Sequence, residues 1–243
     1  MEKISIQKIK WLRGLGLKKN RDESDCFIVE GEKIISEILE INPNRILFIL
    51  ATPELVLKYK LENLENVFVG NENDLSKVST LNTPPKILAV VSKDTSKEIN
   101  VAEKIIILDG IQDPGNLGTI IRTADWFGLT QIVCSKNTVD CYNQKVIQAS
   151  MGSIFRMNII YTELSDFISN LNVPIHGALL DGQRLTEVNP KDIKVLVLGN
   201  EGQGISSGII KKITNPITIQ GFGGAESLNV GIATGIFLYH WVR

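Results

Sequence analysis

Short apolar runs alternate with helical patterns along roughly the first 90 residues. Strands are predicted at residues 27–29, 46–50, 67–69 and 87–91, and helices at 32–39 and near 74–78. This alternation predicts a compact α/β unit of normal domain size. The polar stretch that follows, residues 92–100 (SKDTSKEIN), has no apolar periodicity and is predicted to be a linker.

The second part of the chain alternates more regularly. Strands are predicted at 105–108, 132–134, 157–160, 175–180, 195–198 and 217–219, and helices at 117–127, 145–149, 164–171, 205–212 and 228–242. Strand, helix and strand in series are typical of a mostly parallel sheet with helices on both faces. Because ligands bind at the carboxyl ends of the strands in such sheets, the loops that follow the strands are the candidate sites.

The last predicted helix is apolar nearly all round. One stripe consists of Val230, Ala233, Phe237 and Trp241, and a second consists of Ile232, Ile236 and Tyr239. A helix of this kind has to be buried, either in the core of the protein or against a second subunit.

The N-terminal segment carries most of the local positive charge. Its first 21 residues contain seven basic side chains against Glu2 alone, and Ile6, Ile9, Leu12 and Leu15 follow at roughly helical spacing. The pattern fits an amphipathic helix with a solvated face, which is the usual case for a run of charges, and it also fits a patch that follows RNA phosphates. On the second interpretation, replacing Lys18, Lys19 and Arg21 with Ala weakens RNA binding and its salt dependence.

Overall charge and cysteine content exclude several classes of protein. The 26 basic and 27 acidic side chains nearly cancel, which excludes a uniformly basic nucleic-acid coat. Three cysteines without a C-x-x-C pair argue against a disulfide framework or a zinc ribbon and favour a reducing compartment. The uncharged stretch 227–242 is too short and too polar to span a bilayer, and the first residues lack the apolar region of a signal peptide. We therefore expect a soluble, cytoplasmic protein without a membrane partner.

Three loops, each after a predicted strand, contain the candidate chemistry. In D-P-G-N-L-G-T-I-I-R-T-A, a turn leads into a helix, and Asn116 and Arg122 can face one cleft. In L-G-N-E-G-Q-G-I, glycines allow close approach of a ligand to the backbone, with the carboxylate of Glu201 at the mouth. In I-Q-G-F-G-G-A-E-S-L-N-V, Ser227 is in position to cap the last helix. Taken singly, the loops also fit a capped helix with a surface arginine and ordinary strand-to-helix turns.

Together and in this order, the three motifs resemble those of the SpoU (TrmH-type) branch of the SPOUT RNA methyltransferases, over residues 105–243. The N-terminal part resembles the small substrate-binding domain of many members, through Lys18-Lys19-Asn20-Arg21 and the strand Phe27–Gly31 with Lys33 after it. The resemblance implies an RNA substrate-binding domain over 1–95 and a catalytic domain over 101–243. The catalytic domain is then an α/β fold whose C-terminal segment forms a deep trefoil knot, a rare exception to ordinary chain topology.

The resemblance also implies a cofactor, a pocket and a dimer. S-adenosylmethionine would bind in the knot region, in a bent shape and largely through backbone groups. By position, the cofactor-binding residues would be Leu198, Gly199, Ile219 and Leu228, and the catalytic residues would be Asn116, Arg122, Glu201, Ser227 and Asn229. Members are usually homodimers through helices at the start and end of the catalytic domain, which agrees with the apolar last helix.

The implied reaction is methyl transfer to a ribose 2′-hydroxyl, in ribosomal RNA rather than transfer RNA because a substrate domain is present. The enzyme mainly has to align the reacting atoms and manage one proton. In the family an arginine is proposed to take that proton, but a guanidinium is almost never deprotonated in proteins. We therefore predict that Arg122 is essential because it grips the adjacent phosphate and orients the hydroxyl.

Two other classes of protein are alternatives. A non-catalytic RNA-binding or ribosome-assembly protein could keep the same fold, although the intact Arg122 and Asn229 argue against it. A nucleotide or flavin protein is disfavoured because both the G-x-G-x-x-G fingerprint and the P-loop lysine are missing. His176 and His240 are predicted to be packed core or interface residues, and no metal site is expected.

Overall fold

The computed structural model describes residues 2–94 and 98–243, which fold into two compact units. The first unit contains the described residues up to 94 together with Tyr142–Gly152, and the second contains residues 98–141 together with Ser153–Arg243. Residues 95–97 of the predicted linker lie outside the described residues, as does residue 1.

The first unit is built around a five-stranded mixed sheet. Its elements up to residue 94 are β1 (Glu2–Lys3), α1 (Ile6–Gly14), α2 (Lys18–Ser24), β2 (Cys26–Glu30), α3 (Glu32–Ile41), β3 (Ile46–Ala51), α4 (Pro53–Lys58), β4 (Val67–Val69), α5 (Glu72–Ser76) and β5 (Ile87–Ser92). The strand order is β1-β4-β3-β5-β2, with β1, β4 and β3 parallel and β5 antiparallel to both of its neighbours. All four strands and both helices that the sequence predicts in this unit are therefore present.

Helix α1 covers one face of this sheet. Its buried residues, together with Leu15 just beyond the helix end, form one apolar cluster with the side chains on that face of the sheet. The cluster includes Ile9, Leu12 and Leu15 with Ile28, Phe48, Leu50, Phe68, Leu88 and Val90. The spacing of the apolar residues thus predicts the buried side correctly for Ile9, Leu12 and Leu15, whereas Ile6, which belongs to the same predicted stripe, is exposed.

The N-terminal basic segment is two helices rather than one, because α1 ends at Gly14 and α2 begins at Lys18. Arg21 is only 2% exposed. Its guanidinium donates to the carbonyl oxygens of Leu15 (2.9 Å) and Gly16 (2.8 Å), which lie just past the end of α1, where backbone acceptors lack helical partners. Including Arg21 in an exposed RNA-binding patch is therefore wrong, since its charge stabilises the turn between the helices.

The second unit is built around a six-stranded parallel sheet. The elements from residue 98 onward are β6 (Ile105–Asp109), α6 (Pro114–Trp126), β7 (Gln131–Ser135), α7 (Gln144–Ser150), β8 (Asn158–Thr162), α8 (Leu164–Ser169), β9 (Ile175–Arg184), β10 (Val195–Gly199), α9 (Ser207–Ile210), β11 (Asn215–Thr218) and α10 (Val230–Trp241). The strand order is β11-β9-β10-β6-β7-β8, and every pair in it is parallel. The prediction of an α/β fold with a mostly parallel sheet is confirmed.

One helix is shorter than predicted, and another packs in a place that the sequence does not predict. Helix α9 is a single turn, shorter than the predicted 205–212. Helix α7 is present as predicted but packs with the first unit, where the side-chain amide of Gln148 donates to the carbonyl oxygen of Glu30 (3.0 Å) at the end of β2. Its seven residues are too few to define a face by periodicity alone, so tertiary contacts determine where it lies.

Helix α10 is buried on one stripe only. Phe237, Leu238 and Trp241 are buried, and the Trp241 indole donates to the carbonyl oxygen of Ile193 (2.6 Å). The second stripe, Ile232, Ile236 and Tyr239, is exposed. Burial in the core is thus confirmed for half of the helix, and the other half is an exposed apolar surface.

Three further sequence-based expectations can be compared with the structure. All three cysteines are buried and free of disulfide bonds. His176 is buried, as predicted for a core residue, and His240 is half-buried with Nε2 2.8 Å from the carbonyl oxygen of Val188. No helix in the described part of the chain is long and apolar enough to cross a membrane.

Candidate active site

The strand order brings the first two sequence motifs together. β6 and β10 are neighbours, with Leu108 opposite Leu198 and Asp109 opposite Gly199 at their carboxyl ends. The loops after these two strands therefore leave the same edge of the sheet side by side. On the other side of β10 lie β9 and then β11. Because these strands are parallel to β10, the loop after β11 begins at the same edge of the sheet.

The first motif forms a capped helix start. Asp113 caps α6, its side-chain oxygen accepting a 2.8 Å hydrogen bond from the backbone N–H of Asn116, and Pro114 occupies the first helical position. Both residues suit the start of a helix. The aspartate side chain accepts from a backbone N–H that has no partner within the helix, and proline has no backbone N–H that would need one. The cap fixes Asn116 in the first turn of α6, next to the second loop.

The second loop is held in place by Asn200. Its side-chain amide donates to the carbonyl oxygen of Gly110 (2.7 Å), and its side-chain oxygen accepts from the N–H groups of Gly202 (2.8 Å) and Gln203 (3.1 Å). An asparagine that bonds its own backbone two residues ahead is a common loop device. Asn200 therefore ties the second motif to the loop that begins the first.

Two more residues support this loop. Gly199 lies so close to the loop's return that a Cβ on it would be 2.3 Å from the backbone of Gly204 and of Ile205. The carboxylate of Asp109 accepts from the N–H of Ser206 (2.8 Å). Sequence reasoning did not select Asp109 or Asn200. The Asx-turn pattern after a strand was a usable signal for Asn200, whereas the partner of Asp109 is far away along the chain.

Residues of all three motifs form one polar cluster. The side-chain amide of Asn116 donates to a carboxylate oxygen of Glu201 (2.6 Å), and that of Asn229 donates to the side-chain oxygen of Asn116 (2.9 Å). Asn229 also caps α10, accepting from the N–H groups of Gly231 (2.9 Å) and Ile232 (3.3 Å). Asn229 rather than Ser227 is thus the cap of the last helix, so the capping prediction for Ser227 is wrong.

A cavity of about 1120 Å³ opens beside this cluster. It is lined by the carboxyl ends of β9, β10 and β11, by the two glycine-rich loops and by one side of α10. All four sequence-predicted cofactor residues line it, namely Leu198, Gly199, Ile219 and Leu228, and so do Glu201 and Ser227 among the predicted catalytic residues. The polar cluster thus reaches the cavity through Glu201.

The chemistry of the cavity fits a nucleoside that carries a positive charge. Leu198, Val230 and Phe237 give it an apolar wall, and the glycine-rich loops present backbone N–H and C=O groups. Its charged lining consists of two carboxylates, Glu201 and Glu226, and one guanidinium, Arg184. S-adenosylmethionine has this combination of an adenosine and a cationic sulfonium. The residues present therefore suit the cofactor that the motifs imply.

Arg122 lies apart from the polar cluster. It is exposed on α6, and no described residue forms a hydrogen bond or ion pair with it. It shares an outward stripe of α6 with Thr119 and the exposed Trp126, three and four residues away. A free guanidinium at this position is available for an anionic ligand.

Comparison with known proteins identifies the class. Residues 103–239 match the SpoU rRNA Methylase family, and residues 7–89 match the MRM3-like substrate binding domain. The first match spans more than half of the chain, so the protein belongs to the SpoU rRNA methylase family of SPOUT RNA methyltransferases.

Individual relatives are similar over the whole chain. The 23S rRNA (guanosine(2553)-2′-O)-methyltransferase RlmP of Bacillus subtilis is 33% identical over 99% of this chain and 98% of its own length. A TrmH-family protein of Porphyromonas gingivalis superposes with a TM-score of 0.88 at 36% identity, covering 98% of both chains. An AdoMet-bound rRNA methyltransferase of Sinorhizobium meliloti superposes with a TM-score of 0.86 at 29% identity, covering 99% of this chain and 96% of its own.

Proposed function

We propose that this protein transfers the methyl group of S-adenosylmethionine to a ribose 2′-hydroxyl of large-subunit ribosomal RNA. The observation that supports this most directly is the polar cluster of Asn116, Glu201 and Asn229 at the edge of the cavity. The named activity of the Bacillus subtilis relative supports both the reaction and the RNA class.

Leu198, Gly199, Ile219 and Leu228 hold the cofactor in this proposal. All four line the cavity, and Gly199 has no side chain that would push the following loop away. When bound, the cofactor supplies a methyl group already activated by the positive sulfonium. The protein therefore has to position the ribose oxygen in line with that methyl group rather than activate a leaving group.

The polar residues position the ribose and the hydroxyl proton. Glu201 accepts from Asn116, and Asn116 accepts from Asn229, so the side chains of all three motifs keep one fixed arrangement. Ser227, exposed at the cavity, adds a hydroxyl that can donate to or accept from the substrate. Arg122, which lies apart from this cluster in the single chain, grips the phosphate next to the reacting ribose in this proposal and remains charged throughout.

A homodimer through α6 and α10 is part of the proposal. The two helices pack together, with the rings of Phe127 and Tyr239 6.5 Å apart. They leave Trp126, Ile232 and Ile236 exposed, and an apolar surface of this kind is typical of a protein interface. A second copy seated there would cover the stripe and lie close to Arg122.

Three further expectations belong to the same proposal. Residues 1–95 form the RNA substrate-binding domain and residues 101–243 the catalytic domain, which the two family matches at 7–89 and 103–239 support. The trefoil knot of the C-terminal segment stays a prediction. We infer a cytoplasmic location from the three buried cysteines, which form no disulfide bond, and from the ribosomal substrate of the bacterial relative.

The deciding experiment measures methyl incorporation from labelled S-adenosylmethionine into unmodified ribosomal and transfer RNA. Label in large-subunit rRNA, recovered as a 2′-O-methylnucleotide and lost in Arg122→Ala, is the expected result. Label only in transfer RNA would overturn the substrate class. Cofactor binding is measured in parallel, and an absence of both binding and label would instead favour a non-catalytic RNA-binding protein.

A further inference from the structure

Trp11 is an exposed aromatic side chain on a rigid support. It lies on α1 and is 43% exposed, although its helix neighbour Leu12 is fully buried. Its indole meets the ring of Phe48 edge-on, with centroids 6.4 Å apart and planes at 68°, and Phe48 stacks on Phe68 at 4.7 Å. The buried pair holds the indole on one side, and 43% of the residue remains open to solvent.

Three cations without acidic partners lie near Trp11 along α1. Lys8, Lys10 and Arg13 lie within three residues of Trp11 on α1, which contains no acidic residue. No described residue forms an ion pair with any of the three. Lys8 instead lies over the ring of Phe68, with Nζ 3.3 Å from its centroid, beside the rings that support Trp11.

The neighbouring helix is different. On α2, Lys18 pairs with Asp22 at 2.7 Å and Lys19 with Glu23 at 3.8 Å. The uncompensated positive charge of the segment is therefore concentrated on α1, although the charges of the whole chain nearly cancel. A positive surface of this kind is complementary to a polyanion.

We propose that the outward side of α1, here called the α1 face (Lys8, Lys10, Trp11 and Arg13), binds a single-stranded segment of the RNA substrate. Trp11 is a stacking platform for one unpaired base, and Lys10 and Arg13, on the adjoining exposed part of the helix, contact phosphates that follow this base along the strand. Lys8 holds the aromatic support and adds positive charge. The inference rests on the proposed function, because it assigns part of the first unit to the RNA that the second unit methylates.

A single strand fits this surface better than a duplex. Stacking on an aromatic side chain needs a base that is not already stacked, and such bases occur in loops, bulges and ends of RNA. Every base has a π-face, so a single indole accepts any of them, while lysine and arginine follow the backbone. The α1 face combines both features on the solvent-exposed part of one helix.

The test uses the full-length protein and a fluorescein-labelled RNA of about 12 nucleotides, a length within the range that single-strand sites occupy. Binding is followed by anisotropy, with the single strand and with the same RNA annealed to its complement. Trp11→Ala is expected to weaken binding of the single strand roughly 5- to 150-fold, the range of one stacked base. Trp11→Phe should restore most of the affinity, and Leu57→Ala, which removes an exposed apolar side chain elsewhere in the unit, should change nothing.

Salt dependence separates the stacking contact from the phosphate contacts. Lys10→Ala/Arg13→Ala is expected to lower the slope of log K against log salt by about 1.4, which is two phosphate contacts on a single strand. Trp11→Ala should leave that slope unchanged. The matched control Lys18→Ala/Lys19→Ala removes two lysines that already have acidic partners and should lower the slope by less than half as much.

Several results would overturn the proposal that the α1 face binds single-stranded RNA. These are no binding of the single strand by the wild-type protein, an equal effect of Trp11→Ala on duplex RNA, or no rescue by Trp11→Phe in a variant that melts at the wild-type temperature. Cofactor binding and methylation by the wild-type protein are measured in the same preparation. If the wild-type protein methylates RNA but Trp11→Ala does not change RNA binding, only the role of the α1 face is rejected. If the protein binds RNA without methylating it, the proposed reaction is rejected.

Discussion

The role of a single side chain, Arg122, can be tested by comparing two substitutions. Arg122→Ala is expected to lower kcat by at least about 100-fold, in the range measured for removal of one charge-stabilising donor. Arg122→Lys should recover only part of the rate, because an ammonium is a point charge and lacks the planar fork that binds a phosphate at two points. Single-turnover rates at saturating RNA give the comparison.

The matched control for Arg122 is Lys211→Ala, which removes an exposed cation next to α9. It should leave the rate unchanged. A near-full rate in Arg122→Lys would show that charge alone suffices and that the fork geometry contributes nothing.

His176 links protonation to stability. It is 2% exposed, and its Nδ1 is buried without a hydrogen-bond partner. Burial lowers the pKa of His176 below its usual value of 6.5, partly opposed by the carboxylate of Asp192. The unfolded chain therefore takes up a proton at a higher pH than the folded protein does, and the free energy of unfolding decreases as the pH falls below about 6.5.

Substitution of this histidine should remove that dependence. Between pH 7.5 and pH 5.5 we expect the unfolding free energy of the wild type to fall more steeply than that of His176→Gln, by up to about 1.4 kcal/mol per pH unit for one proton. Urea titrations at several pH values measure it. Parallel profiles for the two proteins would refute the assignment to His176.

At the scale of elements, the turn between β10 and α9 depends on a missing side chain. Gly199→Ala would place a Cβ 2.3 Å from the backbone of Gly204 and Ile205, a separation that real structures do not tolerate. The loop would have to move, and with it the Asn200 bonds and the cavity wall. We expect at least a tenfold loss in cofactor affinity, about 1.4 kcal/mol, measured by calorimetry.

Gly208→Ala is the matched control for this prediction. It lies in the adjacent helix α9, and a Cβ there would meet nothing within 4 Å. Cofactor affinity should stay at the wild-type value. Equal losses in both variants would mean that the affinity responds to general destabilisation rather than to the close approach at Gly199.

The elements differ in how well the sequence predicts them. Each of the six strands of the parallel sheet overlaps a predicted strand. Strands buried on both faces are nearly continuous apolar runs, such as Ile105–Leu108, and are therefore easy to recognise. Helix ends were less certain: α9 is one turn, and the basic segment is broken between α1 and α2. Short helices contain too few turns for periodicity to define their ends.

At the scale of the whole molecule, the exposed stripe of α10 predicts assembly. Ile236→Asp introduces a charge into the proposed interface and is expected to convert a dimer to a monomer in light scattering, because an unpaired buried carboxylate costs several kcal/mol. If the second copy completes the active site, the methylation rate should decrease as the dimer is lost. Ile236 is partly exposed in the single chain, so the fold should tolerate the change.

Val101→Asp is the control, since it adds the same charge at another exposed apolar residue of the second unit. It should leave the mass in solution unchanged. A monomeric wild-type protein at micromolar concentration, or a dimeric Ile236→Asp variant, would contradict assembly through α10.

Much of the candidate site was also predictable. The three motifs name Asn116, Glu201 and Asn229, and the structure brings these three side chains within hydrogen-bond distance. The sequence could not show which of these side chains bond to each other, because Asn116 is 85 residues from Glu201 and 113 from Asn229. Their meeting depends on the strand order that makes β6 and β10 neighbours.

The sequence by itself determined the α/β class, the parallel character of the second sheet and the three loops, because burial periodicity and turn chemistry are local properties of a chain. Tertiary structure alone decided that Arg21 stabilises a turn, that Asn200 ties two loops together and that α7 packs with the first unit. Each of these depends on a partner that is brought near by folding. A side chain's type limits which bonds it can form, but only the fold supplies the partner.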